Sequence, residues 1–150
     1  MLASLAGLVA IVAAARRCWL LVGFVVFLLP IETAAYRLTL NLVPRDRPAV
    51  ARLEDLPLGG SYPSGHTAAS TAVYAGLMLV LASATPRRRT AAIAWAFAIA
   101  LPLLVAGSRL YRGMHHPLDV AGGALVGLGT LAIALFASRA AEAARRDRAS

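Results

Sequence analysis

The sequence predicts an all-α integral membrane protein, a bundle of about five transmembrane helices, and three observations point there. Apolar side chains make up 59% of the 150 residues and mean hydropathy is +0.70, well above the roughly 45–50% apolar usage of soluble domains. The apolar residues fall in long runs, broken by short stretches rich in arginine and proline. The chain has no lysine, so its net charge of +8 rests on arginines, most of them at the ends of the runs, as membrane topology requires.

The length suits a single domain over residues 1–150. A basic chain can bind nucleic acid, anionic lipid or phosphate. Arginines placed at span ends favour a bilayer over nucleic acid, and nucleic acid is not expected as a partner. The lone Cys18 permits neither an internal disulfide nor a thiolate metal site and is expected to be a small apolar residue of a span.

Residues 2–15 form an apolar run that ends at Arg16 and Arg17. As a helix it would be about 21 Å long, short for a hydrocarbon core of about 30 Å, and it reads as a clipped span. No positive charge precedes it, which argues against a cleaved signal peptide despite Ala13-Ala14-Ala15. A second span runs from Cys18 to about Leu42 and contains Glu32 and Arg37, which at that depth should face protein or a cavity. A polar loop of about twenty residues follows as far as Pro63, long enough to cover a site. A third span runs from about Ser64 to Ala84 and closes at Pro86-Arg87-Arg88-Arg89. A fourth covers about Ala91 to Gly107, and a fifth about Leu118 to Ala137. Gly123 and Gly127 in the fifth form a small-xxx-small pair that lets another helix approach closely. Residues 138–150 read as a charged helical tail at headgroup level or in solvent.

Three clusters lie between these runs: RDRP (Arg45 to Pro48), YPSGH (Tyr62 to His66) and SRLYRGMHHPLD (Ser108 to Asp119). Together they have the parts of a phosphate-handling site. Arginine offers a planar fork for phosphate oxygens, histidine is a nucleophile or proton donor near neutral pH, and a carboxylate can hold a histidine in one tautomer. In PSGH, Pro63 opens a helix and the backbone of Ser64, Gly65 and His66 offers N–H groups to an anion. Gly65 leaves room for phosphate, Ser64 adds a hydroxyl, and His66 can protonate a leaving oxygen. The same tetrapeptide is also compatible with an ordinary helix cap and a chance histidine.

In the third cluster Pro117 disfavours a helical His116, so His115 should precede the helix and Asp119 lie in its first turn. Asp119 could accept one ring N–H of His115 and free the other nitrogen to attack phosphorus, or simply complement the helix dipole; one carboxylate can do both. No catalytic role is expected of His116. A metal site and a cofactor are not expected, because no HExxH or thiolate set is present and arginines can neutralise phosphate charge.

The three clusters resemble the signature of the type 2 phosphatidic acid phosphatase superfamily, which includes lipid phosphatases and vanadium-dependent haloperoxidases. The likeness covers about residues 18–137, with PSGH complete and the third motif matched at Ser108, Arg109, His115 and Asp119. It implies His115 as nucleophile, His66 as general acid, and Arg47 and Arg109 as phosphate ligands. In one respect the chain departs from the pattern: the first motif's lysine is replaced by Leu40, and Arg37, on nearly the same helix face and within reach of about a turn, is the expected stand-in, with Arg45 the alternative. Membrane members usually have six helices against the five counted here, as if a first helix were missing.

The resulting expectation is a metal-independent phosphatase of a lipid phosphate or pyrophosphate, such as a polyprenyl pyrophosphate, phosphatidate or phosphatidylglycerophosphate. A vanadate-dependent peroxidase is disfavoured by the membrane composition. A catalytically impaired lipid-phosphate-binding protein is motivated by Leu40.

Helices alternate direction, and the three clusters must share one membrane face. Nine arginines (Arg16, Arg17, Arg87, Arg88, Arg89, Arg139, Arg145, Arg146 and Arg148) then lie opposite the six at 37, 45, 47, 52, 109 and 112. The positive-inside rule puts the clusters on the extracytoplasmic side of the cell inner membrane and the tail in the cytoplasm. In a Cys18-free background, a cysteine at position 52 should therefore react with an impermeant thiol reagent in intact cells, and one at position 88 only after the inner face is opened. The opposite labelling pattern would reverse the topology.

Overall fold

A computed structural model describes residues 19–51, 53–54 and 60–148. The expected first span and Cys18 lie outside them. Among the described residues all regular structure is helical: α1 (Trp19–Leu42), α2 (Gly65–Ser70), a π-helical turn (Thr71–Ala75), α3 (Gly76–Ala84), α4 (Arg88–Tyr111) and α5 (Pro117–Asp147). The backbone stays helical through Ser70, Thr71 and Gly76, so α2, the π turn and α3 form one continuous rod. Among the described residues three stretches are long and apolar enough to cross a membrane: Gly65–Ala82, Arg88–Tyr111 and Pro117–Ala141.

Proline sets the breaks. Pro44 and Pro48 deny the backbone after α1 its helical donors, Pro86 follows the extended Thr85, and Pro117 starts α5 where a missing N–H costs nothing. The helices outrun the expected spans, because α4 extends to Arg88 and Tyr111 and α5 continues to Asp147. Span limits marked by hydropathy end where polar residues begin, whereas alanine and arginine carry a helix onward into the headgroup region.

Phe24 and Leu28 of α1, Ala72, Val73 and Ala75 of the π turn, Ala98 of α4, and Leu131 and Ala134 of α5 form the buried core. Outward-facing Phe27, Trp95, Phe97, Leu104, Leu125 and Phe136 are exposed, as suits side chains whose solvent is lipid. On α4, the buried residues Ala94, Ala98, Pro102, Ala106 and Arg109 make one stripe. Its small side chains seat α4 closely against the neighbouring rod, and it ends on the arginine of the third cluster.

The α2–α5 contact is closer still. A Cβ at Gly123 would lie 2.4 Å from the Ser64 carbonyl oxygen, and one at Gly127 would lie 2.6 Å from that of Ala68 and 2.7 Å from Thr71 Cβ. The small-xxx-small pair thus brings α5 backbone onto α2. Glu32, buried on α1, lines a cavity of about 690 Å³ together with Arg37, Thr33 and Ala69, as the sequence implied for an ionisable residue at that depth.

Gly127→Ala should destabilise the protein by roughly 1–3 kcal/mol, the usual scale for overpacking. Gly129→Ala, where a Cβ meets open space, is the control. Thermal unfolding in detergent checks this, and equal losses in both variants would contradict the close approach.

Candidate active site

The three clusters meet at one end of the bundle, and Asp119 is where they join. This carboxylate is fully buried. Its Oδ2 accepts from the Ser61 hydroxyl at 2.5 Å and from the His116 N–H at 2.7 Å, and its Oδ1 pairs with Arg45 Nη1 at 3.1 Å. The bond to His116 is a capping interaction: His116 is the N-cap of α5, Pro117 its first residue, and the third helical residue reaches back to the free N–H. Asp119 also accepts from the Ser64 N–H through its backbone carbonyl, at 2.8 Å. One residue therefore ties the YPSGH cluster, the RDRP cluster and the start of α5 together.

His115 is buried, and its Nδ1 lies 2.8 Å from the Ser61 carbonyl oxygen but 3.9 Å from Asp119 Oδ2. A carbonyl can only accept, so Nδ1 carries the proton and Nε2 has the free lone pair. The direct Asp119–His115 hydrogen bond expected from the spacing is replaced by a route through Ser61, which gives its hydroxyl to Asp119 and its carbonyl to His115. Ser61 belongs to none of the three sequence clusters. Its nearness to PSGH is the only local signal, and its role depends on a contact 54 residues away.

Burial pushes the His115 imidazole below its ordinary value. The Ser61 hydrogen bond opposes this, the charge of Arg47 adds to it, Asp119 opposes it and Arg109 adds a little. The net direction favours the neutral ring. Arg47 and Arg109 are also close enough to His66 to act on its charge. His66 is exposed in the first turn of α2.

The other expected phosphate ligands are distributed unevenly. Arg47 Nη1 donates to the Met114 carbonyl at 2.9 Å, next to His115. Arg109 is buried and forks onto Glu54, with Nη1 at 3.2 Å from Oε2 and Nη2 at 3.0 and 3.1 Å from the two carboxylate oxygens. The Ser64 N–H is engaged by Asp119 and is not open to an anion, while the buried Ser64 hydroxyl accepts from Thr67 at 3.0 Å. The space beside Gly65 is taken by the Tyr36 ring, 3.0 Å from where a Cβ would stand.

Of the two stand-ins for Leu40, Arg45 reaches the cluster, where it neutralises Asp119. Arg37 faces the α1 cavity instead. Leu40 itself packs against Gly60, under the start of the YPSGH segment. Among the described residues no three of His, Cys, Asp and Glu are grouped as metal ligands.

Fold and site together describe a multi-pass membrane protein with paired histidines and arginines at one helix end. Residues 41–142 match the PAP2 superfamily, and the chain belongs to it. Its structure resembles the first transmembrane PAP2-type phosphatidylglycerolphosphate phosphatase of Bacillus subtilis, with TM-score 0.74 and 24% identity, covering 91% of this chain and 70% of that one. It also resembles LpxE of Aquifex aeolicus, with TM-score 0.58 and 30% identity, covering 84% of this chain and 73% of that one. No curated protein sequence matches it.

To act as a nucleophile His115 would have to be unprotonated, and its burial, which lowers the pKa, favours that form. The acid limb of kcat/KM, which reports the free enzyme, should accordingly fall below the ordinary histidine value of 6.5, with activity lost as pH drops through the depressed value. A limb above 6.5 that persists after the substrate's own second phosphate ionisation, at about 6, is divided out of the pH–rate profile would contradict a buried, neutral His115.

Proposed function

We propose that the protein hydrolyses the terminal phosphate of a membrane lipid, a monoester or a pyrophosphate, through a phosphohistidine. The observation that carries this reading is the His115 tautomer: Nδ1 is held by the Ser61 carbonyl, leaving Nε2 as a nucleophile beside Arg47 and Arg109. Nε2 attacks phosphorus, the P–O bond to the lipid breaks, and His66 gives its proton to the departing oxygen. Water, deprotonated by the now neutral His66, then attacks the phosphohistidine and restores His115 with release of phosphate.

Arg47 and Arg109 stabilise the charge on the transferring oxygens, and the N–H groups of Gly65 and His66 are the helix-start donors left to help them. Asp119 acts through Ser61 and Arg45 as a positioning residue. Arginine neutralisation makes a divalent metal unnecessary in this scheme. The site at the ends of lipid-facing helices suits a substrate with an apolar tail, and the similarity to a phosphatidylglycerolphosphate phosphatase makes that lipid a first substrate to try, on the extracytoplasmic side of the inner membrane.

His115→Ala should lose essentially all turnover of phosphatidylglycerophosphate or phosphatidate while still inserting and folding, because no neighbour replaces covalent catalysis. Phosphate release from purified protein, run with and without EDTA, is the measurement. A folded His115→Ala protein with undiminished release would refute the nucleophile, and activity abolished by EDTA and restored by magnesium would refute the metal-free scheme.

A further inference from the structure

Arg109 is a phosphate ligand in the proposed mechanism, yet in this structure its guanidinium is already filled. Two nitrogens of its fork engage both oxygens of Glu54, and Arg112 Nη1 pairs with the same Oε1. Glu54 comes from the loop after RDRP. The loop backbone is tied down beside it, since the Leu53 N–H donates to the Arg112 carbonyl at 3.3 Å. Val50 and Ala51 lie directly over Gly113, whose φ of +65° and absent Cβ permit the contact. The arrangement repeats the way an arginine fork grips two phosphate oxygens, with a carboxylate in their place.

A phosphate and the Glu54 carboxylate cannot both use that fork. The donors are the same, and two anions at contact distance in a partly buried site repel strongly. Arg109 itself is held by its place at the end of the buried stripe of α4, so Glu54, a quarter exposed on its side chain, is the partner able to leave.

We propose that Glu54 is a resident competitor for the phosphate seat, a specificity-determining residue that the substrate phosphate displaces from Arg109 and Arg112. The proposal rests on the phosphatase reading and concerns the same site. Its chemical consequence is discrimination by charge: a ligand must bring two oxygens and more negative charge than a carboxylate, which favours a dianionic phosphomonoester or a pyrophosphate over a carboxylate or phosphodiester lipid. The same competition helps expel inorganic phosphate after turnover, with Glu54 returning as the carboxylate and no proton exchanged.

The test uses the full chain in detergent, with dioctanoyl phosphatidate as substrate and inorganic phosphate as competitive inhibitor, comparing wild type with Glu54→Gln and Glu54→Ala. Both variants should bind phosphate more tightly, with Ki and KM lowered by a factor on the order of 10, the low end for one charge-assisted hydrogen bond, and with kcat changed less than KM. Folding is verified by retention of the wild-type thermal transition, and either folded variant suffices. If wild type is active and phosphate-inhibited but the variants keep its Ki, or bind phosphate more weakly because Glu54 only positions Arg109, this assignment falls while the phosphatase reading stands. If wild type neither releases phosphate nor is inhibited by it, both readings fall.

Discussion

A fully buried carboxylate is costly unless every oxygen is engaged, and the site end of this bundle is arranged around meeting that requirement at Asp119. Its partners come from both ends of the loop that joins α1 to α2, a guanidinium from Arg45 at one end and a hydroxyl from Ser61 at the other, and from the N–H at the start of its own helix. Losing any one leaves a buried charge undercompensated, so the carboxylate fixes where both ends of that loop can lie. His115 inherits its orientation from this. Its ring is held by the carbonyl of the serine whose hydroxyl Asp119 holds, and backbone and side chain of Ser61 thus link two residues that the sequence places four apart.

That linkage needs α2 and α5 in near contact. The glycines at 123 and 127 allow it, with α5 backbone set against the carbonyls of Ser64 and Ala68. In a bilayer, apolar side chains gain little from leaving lipid for one another, so such close packing and polar satisfaction do much of the work of association. The outward aromatics and leucines contribute to insertion, and the small inward residues to the distance between histidine-bearing segments.

The arginines show the same principle from the cationic side. Arg45 has Asp119, Arg47 has the Met114 carbonyl, and Arg109 and Arg112 share Glu54. A lysine-free chain has assembled four planar cations at the site end of the bundle and given each an acceptor. This keeps the site electrostatically satisfied, which a cluster of uncompensated positive charge at a helix end would not be. It also separates roles that composition alone treats alike: one arginine neutralises a buried acid, another braces the loop that carries His115, and a third closes on a carboxylate.

Hydropathy and proline placement were enough to predict an α-helical membrane bundle and the breaks between its helices, because apolar runs and backbone restriction are local properties; His66, His115, Asp119, Arg47 and Arg109 were singled out by residue chemistry and by resemblance to a family pattern. The glycine pair also announced a close helix contact in advance. The acceptor for each polar group was not legible. Spacing suggested that Asp119 takes the His115 N–H, but the nearer oxygen belongs to Ser61, brought there from 54 residues away. Gly65 read as room for an anion and instead admits Tyr36 from α1; Arg37 read as the better-placed stand-in for the cation missing at Leu40, yet it is Arg45 that reaches Asp119. Glu54 carried no motif at all. Sequence determines which groups can donate, accept or titrate, while their pairing depends on interatomic distances of a few ångströms that only the packing of α1, α2, α4 and α5 sets.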